Sequence, residues 1–129
     1  MPWSISKTFY FEAAHQLAFL PPTHKCSRVH GHSYEITLVL QAEVLTGTML
    51  VDYAELDVFR EWLMRTQDHR NLNETMRSPD GLLTTAESLA AFFWERINTN
   101  WPETIGKYLA LVSVKETRDT EATYWEPEK

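Results

Sequence analysis

The chain of 129 residues is 43% hydrophobic and 23% charged, which fits one globular domain spanning residues 1–129. Its formal net charge of −6 argues against nucleic-acid binding, which needs a basic face, and its single cysteine excludes an intramolecular disulfide and indicates a reducing compartment. Since no secretory signal opens the sequence and no apolar stretch reaches the ~20 residues of a membrane helix, we expect a cytoplasmic protein with no membrane partner.

Alternation of apolar and polar residues predicts two strands in the first third of the chain. The first covers residues 5–15 and has His15 at its end, and the second covers about residues 30–43. The segment 16–28 between them contains two prolines and is predicted to be a loop.

The rest of the chain predicts, in order, a helix over about residues 54–66, an irregular connection over 71–83, a helix from 84 to Trp101-Pro102, and strands over 108–117 and 121–125. The first helix follows from the spacing of Leu56, Phe59 and Leu63. The second follows from the capping-box form of Thr84-Thr85-Ala86-Glu87, in which Thr84 is the cap.

The order strand, strand, helix, helix, strand, strand predicts an α+β domain. We expect a four-stranded antiparallel sheet covered on one face by two helices. Four strands leave two open edges, so an oligomer that joins sheets edge to edge would remove an aggregation liability.

Three histidines are candidates for a metal site. His30 and His32 are two residues apart in a predicted strand, so both imidazoles project from one face about 7 Å apart. His15 would lie opposite them if the two strands pair antiparallel. Three imidazoles match the ligands of a catalytic zinc, which keeps its fourth position for water or substrate, although other divalent ions also suit imidazole. The alternative is a chance motif or a set of satisfied core histidines.

Cys26 precedes the His-Gly-His segment by four residues. The nearby cations Lys25 and Arg28 would favour its thiolate, the form that acts as a base. The alternatives are an inert buried thiol and a fourth zinc ligand in a closed structural site, which would make the protein a binding module.

Asp68 and His69 follow the first predicted helix. An aspartate beside a histidine can orient the imidazole and raise its basicity, which suits proton transfer. The alternative is that both residues are there because they are common at helix ends.

Glu116 shares the apolar face of its predicted strand, where a carboxylate is costly unless it is paired. A ligand with two adjacent N–H donors would pair with it bidentately, whereas exposure at the strand end is the alternative. Glu87 is ambiguous, because its capping-box position explains it without a functional role. The basic cluster of His24, Lys25 and Arg28 suits a phosphate-bearing substrate, or is simply a solvated loop.

Five segments in chain order resemble the 6-pyruvoyltetrahydropterin synthase family over nearly the whole length. They are Phe11-Glu12-Ala13-Ala14-His15, Cys26-Ser27-Arg28-Val29-His30-Gly31-His32-Ser33-Tyr34, Asp68-His69-Arg70-Asn71-Leu72-Asn73, Thr85-Ala86-Glu87 and Lys115-Glu116-Thr117. The short Cys-x-x-x-His-Gly-His spacing resembles the bacterial branch that makes 6-carboxy-5,6,7,8-tetrahydropterin for queuosine and 7-deazapurine biosynthesis.

The resemblance implies a tunnelling fold in which ring-like trimers stack into homohexamers, with active sites at subunit interfaces. It also implies a zinc-dependent lyase that converts 7,8-dihydroneopterin triphosphate to 6-carboxytetrahydropterin, with release of acetaldehyde and triphosphate.

The resemblance further implies a role for each candidate residue. The zinc ligands are His15, His30 and His32. The catalytic residues are Cys26 as base, Asp68 and His69 as the proton relay on the other side of the substrate, and Glu116 as the pterin anchor. The other expected substrate contacts are Thr85, Glu87, Lys25 and Arg28.

The chain departs from the family pattern at two positions. Thr84 stands where proline is usual, and Gln67 stands where leucine usually precedes Asp-His, which bears on the setting of His69. Two rival assignments remain: a 6-pyruvoyltetrahydropterin synthase, which eliminates triphosphate and retains the side chain, and a non-catalytic pterin- or metal-binding protein in which Cys26 closes the zinc sphere.

Overall fold

Two long antiparallel strands form the middle of the sheet in this computed structural model, which describes residues 1–127. Strand β1 (Trp3–His15) pairs with β2 (His30–Ala42) along the full 13 residues of each. The register brings the last residue of β1, His15, opposite the first residue of β2, His30. The loop between the strands therefore begins and ends at the same edge of the molecule.

Three shorter strands flank this pair: β3 (Arg70–Asn71), β4 (Leu109–Lys115) and β5 (Ala122–Tyr124). Strand β3 pairs parallel with β1, whereas β4 pairs antiparallel with β2 and β5 antiparallel with β4. The sheet order is β3-β1-β2-β4-β5.

Within residues 1–127 the α-helices are α1 (Asp57–Thr66), α2 (Leu72–Thr75) and α3 (Ala86–Asn100). Short 3-10 turns cover Lys25–Ser27, Tyr53–Leu56 and Gly106–Tyr108. None of the helices in this part of the chain has the length and apolar character needed to cross a membrane.

Helices α1 and α3 pack on the sheet face that carries the apolar side chains of β1 and β2. Phe59 of α1 lies edge-on to Phe9 of β1 at 5.3 Å and edge-on to Phe93 of α3 at 5.8 Å between ring centroids. All three rings are fully buried. Edge-to-face pairs of this kind add about 0.5–1.5 kcal/mol to the free energy gained by burial, so this aromatic cluster joins both helices to the sheet.

The α+β class is confirmed, but the prediction of four antiparallel strands and two helices was wrong. The sheet is a mixed one of five strands, and a third, short helix is present. Helix α2 and the second residue of β3 lie in the stretch 71–83, for which the sequence predicts an irregular connection. Two extended residues and four helical ones are too few for either hydrophobic period to show in a sequence.

The helix cap was also assigned one residue too early. Thr85, not Thr84, caps α3, because its Oγ1 accepts a hydrogen bond from the Ser88 N–H at 3.2 Å. Thr84 is fully buried and its hydroxyl donates to the Gly81 carbonyl at 3.1 Å. Two adjacent threonines are equivalent by pattern, and only the path of the chain into the helix distinguishes them.

Asn73 ties the residue after β1 to the loop that precedes α3. Its Oδ1 accepts a hydrogen bond from the Gln16 N–H at 2.8 Å, and its Nδ2 donates to the carbonyls of Gln16 and Ser78 at 2.7 and 3.0 Å. Gly81 packs against the same stretch at φ +84°. A Cβ at Gly81 would overlap the Gln16 carbonyl oxygen and lie 2.9 Å from the Leu17 Cα, so the loop can approach only with glycine at this position.

Replacement of Gly81 with alanine is expected to lower the free energy of unfolding by at least about 3 kcal/mol, since the added Cβ is both strained at positive φ and in collision with backbone. Gly47→Ala is the matched control. It has φ +63° but nothing within 4 Å of the added Cβ, so only the strain remains, which costs about 1–2 kcal/mol. Urea unfolding measures both losses, and equal losses at the two positions would contradict the packing argument.

Candidate metal centre and active site

The register of β1 and β2 gathers three histidines at one end of the sheet. His15 lies directly opposite His30, and His32 lies opposite Ala13 on the same face. The three ring centroids are 4.5, 4.8 and 5.1 Å apart, and one ring nitrogen from each histidine lies within 4.8 Å of the other two. A metal ion about 2 Å from each of the three nitrogens would require them to be at most about 4 Å apart, somewhat closer than the 4.8 Å limit found here. A small inward movement of the rings would therefore let one ion bind all three.

Two of these histidines, His15 and His30, are oriented by hydrogen bonds that their Nδ1 atoms donate to backbone carbonyls. His15 Nδ1 lies 2.8 Å from the Thr84 carbonyl, and His30 Nδ1 lies 2.7 Å from the Arg28 carbonyl. Because a carbonyl can only accept, each Nδ1 carries the proton and each Nε2 keeps its lone pair. This arrangement, a ring N–H donated to a carbonyl, is the one that fixes the tautomer of metal-binding histidines.

The three Nε2 atoms are suited to a metal because no hydrogen-bond partner occupies them in the described part of the chain. The Nε2 atoms of His15, His30 and His32 are buried and have no hydrogen-bond partner among residues 1–127. A buried polar atom without a partner costs free energy that a coordinated cation would recover. The donor set alone does not choose between zinc and other first-row divalent ions.

Burial favours the neutral form of His15 and His32, which is the form that metal binding requires. Burial and the neighbouring His30 and His32 lower the pKa of His15 to about 4, although the hydrogen bond with the Thr84 carbonyl acts in the opposite direction. The pKa of His32 is lowered as well, first by burial and then by His30. Neutral imidazole nitrogens are therefore presented at neutral pH.

Glu116 lies beside this histidine group, one residue beyond the end of β4. Its Oε2 is 3.9 Å from His32 Nε2, which is too long for a hydrogen bond. Burial and the nearby Glu87 carboxylate raise the pKa of Glu116, while His30 and the Ala86 N–H act against the increase. A half-buried carboxylate in this state gains from a ligand that donates N–H groups to it.

Thr85 and Glu87 stand at the start of α3, next to Glu116. Thr85 uses its hydroxyl as the helix cap, and the exposed Glu87 is in the first helical turn. The Thr84 carbonyl, next to Thr85, accepts a hydrogen bond from His15 Nδ1 at 2.8 Å, so the start of α3 lies beside the histidine group. The structure therefore brings this part of the predicted substrate site together with the histidines.

Cys26 is outside the histidine group. Among residues 1–127, the cluster of potential ligand atoms that lie within 4.8 Å of one another consists of the three histidines alone. Cys26 is a half-buried free thiol in the 3-10 turn, and its carbonyl accepts a hydrogen bond from the Leu17 N–H at 2.9 Å. The flanking side chains of Lys25 and Arg28 are exposed to solvent.

Asp68 and His69 form a hydrogen-bonded pair with 2.7 Å between Asp68 Oδ2 and His69 Nδ1. The backbone of Glu12 holds both members: its N–H donates to Asp68 Oδ1 at 2.9 Å, and its carbonyl accepts from the His69 N–H at 2.6 Å. His69 adopts φ +58°, an unusual backbone conformation for a residue other than glycine. Burial would raise the pKa of Asp68, but the Glu12 and His69 hydrogen bonds outweigh it and lower the pKa.

The imidazole of His69 projects into a cleft of about 570 Å³ that also holds Glu12, Gly31 and Ser33. These three residues alternate with Ala13, His32 and Tyr34 along β1 and β2, so they belong to the sheet face away from the helices. His32 borders the cleft, but His15 and His30 do not line it. Within one chain, the Asp68–His69 pair thus faces a different side of the sheet from the histidine group.

Three groups that orient or border the candidate site residues were not identified from the sequence. The Thr84 carbonyl orients His15, Glu12 anchors the Asp68–His69 pair through its backbone, and Tyr34 lies against the histidine rings. Backbone carbonyls and amides carry no sequence signal. Tyr34 did stand two residues after His32 on the same predicted face, and its polar hydroxyl in an apolar alternation was a signal that could have been used.

The metal-free protein is expected to lose stability as the pH falls. His15 takes up a proton near pH 6.5 in the unfolded chain but only near pH 4 in the folded one, so the unfolded state binds more protons between these values. The contribution of His15 is fully present above the unfolded value, and up to about 3 kcal/mol of it is lost on acidification through the folded value.

Urea unfolding in the presence of a chelator, at several pH values, measures this loss. His15→Asn should flatten the dependence, because the titrating group is removed. His24→Asn is the control at an exposed histidine outside the group, because the asparagine Oδ1 can still accept the hydrogen bond from the Cys26 N–H. The same slope in wild type and His15→Asn would contradict the lowered pKa.

Comparisons with known proteins give a consistent result. Residues 4–127 match the family model described as 6-pyruvoyl tetrahydropterin synthase. A 6-carboxy-5,6,7,8-tetrahydropterin synthase from Synechocystis sp. is 33% identical over 135 residues, covering 97% of this chain and 95% of the relative. A dihydroneopterin monophosphate aldolase from Pyrococcus furiosus is 30% identical over 92 residues, covering 71% of this chain and 72% of the relative.

A solved structure agrees with the family match. The 6-pyruvoyl tetrahydropterin synthase of Caenorhabditis elegans superposes with a TM-score of 0.81 at 26% identity, covering 96% of this chain and 95% of that one. The resemblance read from the five sequence segments is thereby confirmed, and with it a lyase-type pterin synthase as the kind of enzyme. The chain belongs to the 6-pyruvoyl tetrahydropterin synthase family.

Proposed function

We propose that this chain is a zinc-dependent lyase that converts 7,8-dihydroneopterin triphosphate to 6-carboxy-5,6,7,8-tetrahydropterin, releasing acetaldehyde and triphosphate, in queuosine and 7-deazapurine biosynthesis. The observation that carries the proposal is the group of three unpartnered histidine nitrogens beside the half-buried carboxylate of Glu116. The short Cys-x-x-x-His-Gly-His spacing and the similarity to the Synechocystis relative over nearly the full chain favour the carboxy product.

His15, His30 and His32 would hold the metal through their Nε2 atoms. Bound zinc supplies Lewis acidity, which lowers the cost of removing protons next to the substrate oxygens it polarises. Glu116 accepts the two adjacent N–H groups at the guanidine-like edge of the pterin, which orients the ring. Thr85 and Glu87, at the start of α3, complete this side of the substrate site.

Two groups move protons in this proposal. Cys26 acts as the base, and Asp68 orients His69 through their 2.7 Å hydrogen bond so that the imidazole can exchange protons on the opposite side of the substrate. Lys25 and Arg28 present the exposed positive charge near Cys26 that suits the triphosphate leaving group. A reducing cytoplasm keeps Cys26 reduced and free of disulfide bonds.

The two sheet faces support an oligomeric enzyme. The Asp68–His69 pair and the histidine group face different sides of one sheet, so a relay from one subunit can serve the metal of another. Within residues 1–127, the outer edge of β1 pairs with β3 only at Ala13 and Ala14. The remaining backbone donors and acceptors of that edge suit pairing between subunits, and we propose a homohexamer built as a dimer of trimers.

Incubation of the zinc-loaded protein with 7,8-dihydroneopterin triphosphate, followed by mass spectrometry, is expected to yield 6-carboxytetrahydropterin and acetaldehyde. A pyruvoyl product would instead assign the chain as a 6-pyruvoyltetrahydropterin synthase. Since one relative is a dihydroneopterin monophosphate aldolase, the monophosphate is the substrate to run in parallel. Unchanged triphosphate would contradict the proposal and favour the non-catalytic binding protein.

The variant Cys26→Ala distinguishes between two roles for Cys26, that of a catalytic base and that of a zinc ligand. We expect zinc to remain bound with little change in affinity, because the thiol is outside the histidine group, while turnover falls by about 10²–10⁴-fold through loss of proton transfer. Zinc content and affinity are measured beside activity. Ser27→Ala, in the same turn, is the matched control and should retain both. Loss of zinc from Cys26→Ala would instead make Cys26 a fourth ligand.

A further inference from the structure

Four side-chain polar atoms within residues 1–127 are buried without a hydrogen-bond partner. Three are the Nε2 atoms of His15, His30 and His32, and the fourth is the hydroxyl of Tyr34. A metal accounts for the three nitrogens. A metal bound by the histidines does not explain the unpaired Tyr34 hydroxyl, although the Tyr34 ring lies beside His15 and His32.

Tyr34 is part of the wall of the histidine group. Its ring lies edge-on to His32 at 5.4 Å and edge-on to His15 at 6.1 Å between centroids. On its other side it stacks on Phe11 at 4.8 Å, with 14° between the ring planes. The side chain is 0% exposed, so the ring is held by its neighbours and the hydroxyl is not free to turn towards solvent.

Core packing does not explain the hydroxyl. Phenylalanine would fill the same space and make the same ring contacts, without the free-energy cost of a buried oxygen that has no partner. A polar atom that stays unsatisfied in the free protein, beside a ligand site, is of the kind that a ligand satisfies when it binds.

The position of Glu116 indicates which atom of a ligand would bind the Tyr34 hydroxyl. One further step of the β2–β4 register, beyond Glu35 opposite Lys115, brings Glu116 level with Tyr34 on the same face of the sheet. A carboxylate only accepts hydrogen bonds, whereas a neutral phenol donates one. Together they present an acceptor beside a donor, and a pterin edge presents the complement, since its N–H donors adjoin a ring carbonyl.

We propose that Tyr34 is a substrate-binding residue whose hydroxyl donates a hydrogen bond to the ring carbonyl of the pterin, next to the N–H groups that Glu116 accepts. This assignment rests on the proposed function and adds to it a specificity determinant. Tyr34 favours a carbonyl-bearing pterin over a pteridine that carries an amino group at the same ring position, because the amino group cannot accept the O–H and could donate to the phenol oxygen only if that proton turned away.

Tyr34→Phe tests the proposal with two matched probes, 6,7-dimethylpterin and 2,4-diamino-6,7-dimethylpteridine, bound to the zinc-loaded protein at equilibrium. We expect affinity for the pterin to fall about 10-fold, the value of one hydrogen bond of about 1.4 kcal/mol, and affinity for the diamino compound to stay within about twofold. Tyr10→Phe, at an exposed position on the opposite sheet face, is the control and should bind both probes as wild type does. Equal effects on the two probes, or none, would overturn the proposal.

The urea midpoint of Tyr34→Phe gives a second readout that needs no pteridine. A midpoint equal to or above that of wild type supports a hydroxyl without a structural partner, and a lower midpoint would overturn that premise. Failure of the proposed function has a different signature, since wild type itself would then bind neither pteridine nor turn over a dihydroneopterin phosphate.

Discussion

The alignment of β1 against β2 is the constraint on which the site depends. In an antiparallel pair a shift of one residue would turn every side chain of one strand to the opposite face. The apolar residues of both strands pack against α1 and α3, so the core selects the register, and that register sets His15 opposite His30. The histidine group is therefore positioned by the same burial of apolar surface that stabilises the domain.

A second layer of contacts orients what the strands bring together. The loop before α3 supplies the Thr84 carbonyl that fixes the ring of His15, and Asn73 and Gly81 hold that loop against the residue after β1. The Arg28 carbonyl does the same for His30 from the turn that contains Cys26. Main-chain carbonyls of two loops thus accept the Nδ1 protons of His15 and His30 and leave the Nε2 lone pairs free. The side chain of Asn73 contributes by holding one of these loops in place.

The strands other than β3 and the two long helices were predictable from the hydrophobic period, as were the residues that form the histidine group. His-x-His in an alternating segment already required both imidazoles to share a face. The short β3 and α2 were not predictable, because a few residues carry no period, and Thr84 and Thr85 could not be told apart without the path of the chain. The separation of His69 from the histidine group was also hidden, since it follows from the attachment of Asp68 and His69 to the backbone of Glu12 on one edge of the sheet.

That attachment has a consequence for changing the enzyme. Glu12 holds Asp68 and His69 with its main-chain N–H and carbonyl, while its carboxylate, which accepts a hydrogen bond from the Ser33 hydroxyl at 2.7 Å, extends into the cleft as a separate element. Any residue that keeps an extended backbone leaves the Asp68–His69 pair in position. Position 12 is thus a place where the chemistry of the cleft wall can be varied by directed evolution while that pair stays intact.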